Sequence, residues 1–275
     1  MFEFDGNRND PEQLLSILKR FTHRWCIIHE ENPGVSEGRL DKVPLPLPLR
    51  QLYAFAGEAL GGIFDSIFSH QDHLVPFEQL EIVDGKLVFV FENQAVWCCA
   101  TETTGVDPPV FIREEGDKPW QLLCDSLAQF LVTFCLHECV FGSVVLASIE
   151  DPEDAVKKTG QPEIPLWTDA VYAWREPVSF SMLAGGKILR MGGWFATQYE
   201  EVAEQYPRLF NDARIQKDDP YEKVVRETWE FVELPEWVRR NWLENAIARN
   251  EAMASKFNDK ADFYRRKLKS IDNEE

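Results

Sequence analysis

Four short constellations carry side chains of the kinds used for metal binding, nucleophilic catalysis or recognition. His70-Gln71-Asp72-His73 holds two imidazoles around a carboxylate. On one helical turn the two rings would lie near each other, and Asp72 would add a hard oxygen ligand. A complete site needs further ligands at matching spacing, and none lies nearby. The segment reads as a polar loop. Cys135-Leu136-His137-Glu138-Cys139 raises the same question. On a helix Cys135 and Cys139 share a face, and His137 points elsewhere. Structural zinc pairs such cysteines with a second ligand pair, and Cys124 is the only other cysteine close by. Buried thiols are expected there, since unpaired cysteine is so often buried. Neither constellation leads us to expect a metal ion.

Cys98 and Cys99 are adjacent in a predicted strand and so face opposite sides of it. They cannot chelate one ion together, and a cysteine nucleophile would need a neighbouring base. His23, His29, His70, His73 and His137 share no recognisable motif with a cysteine or serine. Phosphate-loop and dinucleotide-binding glycine patterns are absent, as is the nucleophile elbow of hydrolases. Gly185-Gly186 and Gly192-Gly193 suit hairpin turns, where glycine supplies a positive φ. The reading is therefore of a non-enzymatic protein without a cofactor, with an enzyme of unrecognised type as the alternative.

Glu92-Asn93-Gln94 differs from these, because three polar side chains interrupt a run rich in Phe and Val. They can satisfy backbone groups at a tight turn. They can equally present fixed donors and acceptors to a partner, with Trp97 as an apolar anchor of the kind found at binding hot spots. Glu92, Asn93, Gln94, Trp97 and Asp107 are the candidate partner-binding residues.

The elements that must hold these groups follow from capping signals and apolar spacing. Asp10-Pro11 opens a helix with Leu14, Leu18, Phe21 and Trp25 on one face. Residues 43–48 (VPLPLP) are expected to be extended. A second helix follows, with Leu49, Leu52, Tyr53 and Ala56 on its apolar stripe and Gly57 at its end. Residues 80–91 form a hairpin around Asp84-Gly85, and residues 96–100 form the next strand. Asp107-Pro108-Pro109 is a rigid lead into the strand 110–112. Asp125 or Ser126 caps a helix striped by Leu127, Phe130, Leu131 and Phe134. Asp151-Pro152 starts a short helix, residues 178–183 and 187–191 make a second hairpin, and Thr197-Gln198-Tyr199-Glu200 has the form of a capping box. Residues 239–269 contain nine basic and four acidic side chains. Met253, Phe257, Ala261, Tyr264, Leu268 and Ile271 give this stretch the spacing of a long amphipathic helix.

The 275 residues carry 47 acidic and 29 basic side chains, a net charge of −18. Such a surface repels nucleic-acid phosphates and anionic membranes and attracts basic partners, although solubility alone also explains it. The first ten residues lack the basic start and apolar run of a signal peptide, and no stretch is apolar enough to span a bilayer. Six cysteines in apolar surroundings suit a reducing compartment. A cytoplasmic protein is expected.

The order of these segments resembles the SUKH superfamily. It runs PLPLRQLYAFAGEALGG, HLVPFEQLEIVDGKLVFVFENQAVWCCAT, DPPVF, then SLAQFLVTFCLHECVFG. That group includes fungal regulators of cell-wall glucan synthesis and many bacterial immunity proteins. The resemblance covers roughly residues 11–142, and more loosely the hairpin to residue 197. Ala95 and Val96 stand where a glycine-containing turn is expected. The resemblance implies an α+β fold with a mixed, mostly antiparallel sheet flanked by helices. The resemblance has no counterpart after Thr197; a domain over residues 1–200 with a helical extension over 201–275 packed on it is expected from the residues themselves. The resemblance also implies a non-enzymatic role, most often neutralising a toxin by binding it and otherwise regulating an endogenous partner. No catalytic residues are carried over.

Overall fold

The computed structural model describes residues 2–25, 34–57, 67–94, 96–114, 118–173, 177–211 and 213–215. In chain order its elements are α1 (Pro11–Trp25), α2 (Glu37–Leu40), α3 (Leu47–Ala56), β1 (Asp72–Leu74), β2 (Glu81–Val83), β3 (Lys86–Glu92), β4 (Trp97–Thr101), β5 (Val110–Glu114), β6 (Gln121–Cys124) and α4 (Leu127–Phe141). These are followed by β7 (Val145–Ser148), α5 (Pro152–Thr159), β8 (Ile164–Ala170), β9 (Val178–Leu183), β10 (Ile188–Met191), β11 (Trp194–Thr197), α6 (Glu200–Gln205), α7 (Pro207–Phe210) and β12 (Arg214–Ile215). The class is α+β.

Local chemistry accounts for most boundaries. Asp10 caps α1 by accepting from the Gln13 amide at 3.0 Å, and Leu14, Leu18, Phe21 and Trp25 are all buried. Helix α3 starts at Leu47, inside the proline run, so the extended stretch is shorter than expected. Pro48 sits in its first turn, where a missing N–H leaves no hydrogen bond unmade. Asp84 and Gly85 have φ of 50° and 77°, the two positive values a two-residue hairpin turn requires. Ser126, not Asp125, caps α4 through the Gln129 amide. The capping box at Thr197 does not form. Thr197 belongs to β11, and its hydroxyl donates to the Lys187 carbonyl and accepts from the Tyr199 amide.

Among the described residues two six-stranded sheets form, rather than one. The first has the order β1-β3-β4-β5-β6, and β2 joins β3 beside β1 on the same edge. The second has the order β12-β7-β11-β10-β9-β8. Every pairing among the described residues is antiparallel, so the mixed character expected of the sheet is not found there. Strand β12 pairs with β7, so the chain to Ile215 is part of the second sheet, beyond the boundary expected at residue 200. The stretch 239–269 lies outside the described residues.

Helix α4 is the centre of the core. Every residue in it except Gln129 and Phe141 is buried. Its Phe130 ring meets Phe89 of the first sheet edge-on at 5.7 Å. Its Thr133 hydroxyl accepts from the Trp167 indole of the second sheet at 2.9 Å, and its Cys139 carbonyl accepts from the Trp25 indole of α1 at 3.1 Å. A helix packed on all sides is apolar all round, so the stripe of Leu127, Phe130, Leu131 and Phe134 is only one of its faces. A smaller cluster of Val145, Val156, Ile188, Phe195, Val202 and Leu209 packs α5, α6 and α7 against the second sheet. Among the described residues no helix is long and apolar enough to cross a membrane.

Candidate functional site

Besides Thr133 and two thiols, helix α4 carries the ionisable residues His137 and Glu138 into the core. Glu138 is 0% exposed. Its carboxylate accepts from the backbone amides of His70 at 2.6 Å, Gln71 at 2.9 Å and Asp72 at 2.9 Å. A fourth donor is His137 Nδ1 at 3.1 Å; a carboxylate only accepts, so this nitrogen carries the proton. Burial works to raise the Glu138 pKa, but the His137 hydrogen bond and charge, with the Asp72 amide, outweigh it and hold the group below the usual carboxylate range. The chain before β1 crosses the end of α4 very closely. Gly142 lies so near the His70 ring that any β-carbon there would overlap it.

Asp72 is a second buried carboxylate. It accepts from the Tyr172 hydroxyl. Burial pushes its pKa up to about 6, opposed by the Tyr172 hydrogen bond and reinforced by the charge of Glu138. Tyr172 follows β8 and is packed by three rings. It stacks on His137 at 4.6 Å and on Phe130 at 6.0 Å, and it meets Trp97 edge-on at 6.1 Å.

Asp72, His137 and Glu138 offer potential metal-ligand atoms within 4.8 Å of one another. The donors already on Glu138 match its lone-pair capacity of about four, so it acts as an internal anion holding the 70–72 backbone. The two sequence constellations thus meet in space, with His137 beside Glu138 rather than beside either cysteine. His70 and His73 do not share a helical turn, because Asp72–Leu74 is strand β1 and its successive side chains alternate. Cys98, Cys99, Cys124, Cys135 and Cys139 are all thiols. Cys98 is partly exposed and Cys99 buried, as their opposite faces require.

The buried Asp72 makes stability depend on pH. A carboxyl whose folded pKa is raised contributes stability that is full below the unfolded value and is lost as pH rises through the folded value. For Asp72 that window lies between the ordinary 3.8 and about 6, worth at most ~3 kcal/mol. Asp72→Asn should flatten the difference in urea midpoint between pH 5 and pH 7.5. An unchanged difference would show that Asp72 does not titrate in this range.

The candidate partner-binding residues divide into four groups. Glu92 folds back on its own turn, accepting from the amides of Gln94 at 2.8 Å and Val96 at 3.2 Å. Asn93, Gln94 and Val96 project into solvent, with Val96 44% exposed. Trp97 is 8% exposed and faces Tyr172. Strand parity sends Trp97 and Cys99 inward and Cys98 outward, so Trp97 is a core residue and no exposed anchor. Asp107 accepts from the Ser126 hydroxyl at 2.6 Å and the Ala128 amide at 2.8 Å. A carboxylate at that place satisfies the first amides of α4 and suits its dipole.

Outside these groups, a cleft of about 520 Å³ lies between α5 and α7, bordered by Asp151, Asp154, Lys158 and Arg208. The chain matches no family model, no curated protein and no solved structure.

Proposed function

We propose that this chain is a non-enzymatic, cytoplasmic protein-binding module of SUKH-like architecture, and that it acts as an immunity protein blocking a basic toxin domain. The observation carrying this reading is the turn between β3 and β4. Asn93, Gln94 and Val96 stand in solvent on a backbone already fixed by the Glu92 carboxylate. A loop ordered before binding loses less entropy when a partner arrives. The net charge of −18 adds long-range attraction for a basic target, and nuclease domains are basic because they grip phosphates.

Co-expression with a basic toxin domain encoded in its gene neighbourhood is the test, and it should restore growth. The double change Asn93→Ala with Gln94→Ala should weaken capture of that domain about tenfold or more, with the thermal midpoint unchanged. Full protection by the double variant would remove this turn from the interface. Failure to protect, together with capture of a host regulatory protein, would favour the regulator of an endogenous partner instead.

A further inference from the structure

Helix α4 packs on one face of the first sheet. Cys98, next to the buried Cys99, points away from that helix, and its register partners Phe91 and Arg113 share its side. Two residues on, Ala100 begins a second row with Phe111 and Leu122. Among the described residues, the apolar side chains packed on this outer face come from the sheet and its own connections. Phe91, Cys98, Phe111 and Trp120 stay half-buried there, and Leu122 is exposed. Trp120 is fixed across the face, its indole N–H donating to the Val83 carbonyl at 3.3 Å.

Two cations lie flat on these rings. Arg113 stacks on Trp120 at 4.3 Å and Lys86 on Phe111 at 3.9 Å. Each is paired with a carboxylate, Arg113 with Asp84 at 2.7 Å and Lys86 with Glu102 at 3.5 Å. The members of each pair differ in exposure. The Arg113 and Lys86 side chains are 18% and 21% exposed, those of Asp84 and Glu102 73% and 49%. Glu81, across from Val88, is exposed as well. An arriving molecule therefore meets an apolar, aromatic floor with carboxylates at its rim. We propose that this outer face is the docking surface of the chain, and that its occupant is a protein surface with an apolar patch flanked by lysine and arginine.

Exposed ion pairs contribute little to stability, so Asp84 and Glu102 can turn to a partner's cations at small cost. Arg113 and Lys86 keep their places on the rings by cation–π attraction. A tryptophan beside polar groups has hot-spot chemistry, and Trp120 loses little entropy on binding because it is already held. The carboxylate rim repels an acidic or phosphate-bearing molecule and selects a basic one. The face is continuous with the 92–96 turn, which joins β3 to β4 at its end, Val96 lying two residues before Cys98. The inference rests on the proposed function for the role of that turn and supplies the rest of the interface.

Its test needs no toxin. The full chain is titrated with a short synthetic peptide bearing leucines on one helical face and lysines on the other. NMR follows the amides of Phe91, Cys98, Phe111 and Leu122 and the indole of Trp120, and these signals should shift together. Oligolysine, which lacks the apolar face, should bind about tenfold more weakly. Asp84→Asn with Glu102→Gln should weaken the peptide about tenfold, and asparagine suits the turn at Asp84. Leu122→Ser should weaken it about fivefold. Glu201→Gln with Glu204→Gln on α6 removes the same charge elsewhere and should change nothing. The proposal is overturned if the Trp120 indole does not move, or if the α6 variant weakens binding as much as the rim variant. It is also overturned if zero-length coupling joins Asp84 or Glu102 to a lysine within residues 239–269 of the same chain, which would make that basic stretch the occupant. Peptide binding here without capture of a toxin domain would sink the immunity reading and leave the docking face standing. Toxin capture undiminished by the rim variant would do the opposite.

Discussion

Replacing Glu138 by Gln is expected to cost about 3–5 kcal/mol of folding stability, the range for breaking a buried charged network by removing one partner. The carboxylate takes four N–H donors in a place without water contact. A glutamine has one acceptor oxygen, and its NH2 group would point at donors. At least one of the three backbone amides would be left unsatisfied, and each such group costs roughly 1–3 kcal/mol. The His70–Asp72 backbone would then lose its attachment to α4. Urea unfolding measures the cost, and hydrogen exchange at the amides of His70, Gln71 and Asp72 locates it. A loss under 1 kcal/mol with full protection at those amides would show that the segment is held by other means.

Phe130→Ala should be comparably damaging, about 3–5 kcal/mol. The ring sits where the two sheets and α4 converge. It touches Phe89 of the first sheet and lies parallel to Phe134 and Tyr172. Removing it opens a cavity against three aromatic neighbours that are themselves fixed, so collapse into the space is limited. Phe130→Leu keeps most of the volume and should cost less than half as much. Equal losses for the two variants would mean that ring geometry, not volume, sets the energy there.

What could be read in advance divides along the range of the interaction. Asp10, Asp84-Gly85, Gly57 and Asp151-Pro152 act within a few residues, and each marks the boundary it was expected to mark. The proline run illustrates a near miss. Prolines disfavour helix in the residue before them, yet Pro48 is accommodated once it falls in the first turn of α3. Thr197 and Glu200 have capping-box spacing, but strand pairing with β10 and β7 places the threonine in a sheet.

Long-range features were hidden for a physical reason. Glu138 and His137 look out of place in an apolar helix, and nothing local says that the amides of residues 70–72, more than 60 positions earlier, will receive the carboxylate. The apolar stripe read on α4 described one face, while the second sheet, which covers another, is built from residues after 144. Trp97 was placed on the wrong side because parity is set by which neighbours are buried, and Cys98 and Cys99 are equally apolar. The turn at Glu92 kept both its readings: Glu92 satisfies backbone groups, and Asn93 with Gln94 remains available to a partner.

The all-round burial of α4 also bears on how the chain is inherited and cut. A helix sealed by elements from both halves of the sequence has no face to offer water. A break in the loop after Gly142 would leave either half with an uncovered apolar cylinder or an uncovered sheet. The two sheets, although each is continuous and antiparallel, are therefore not exchangeable modules.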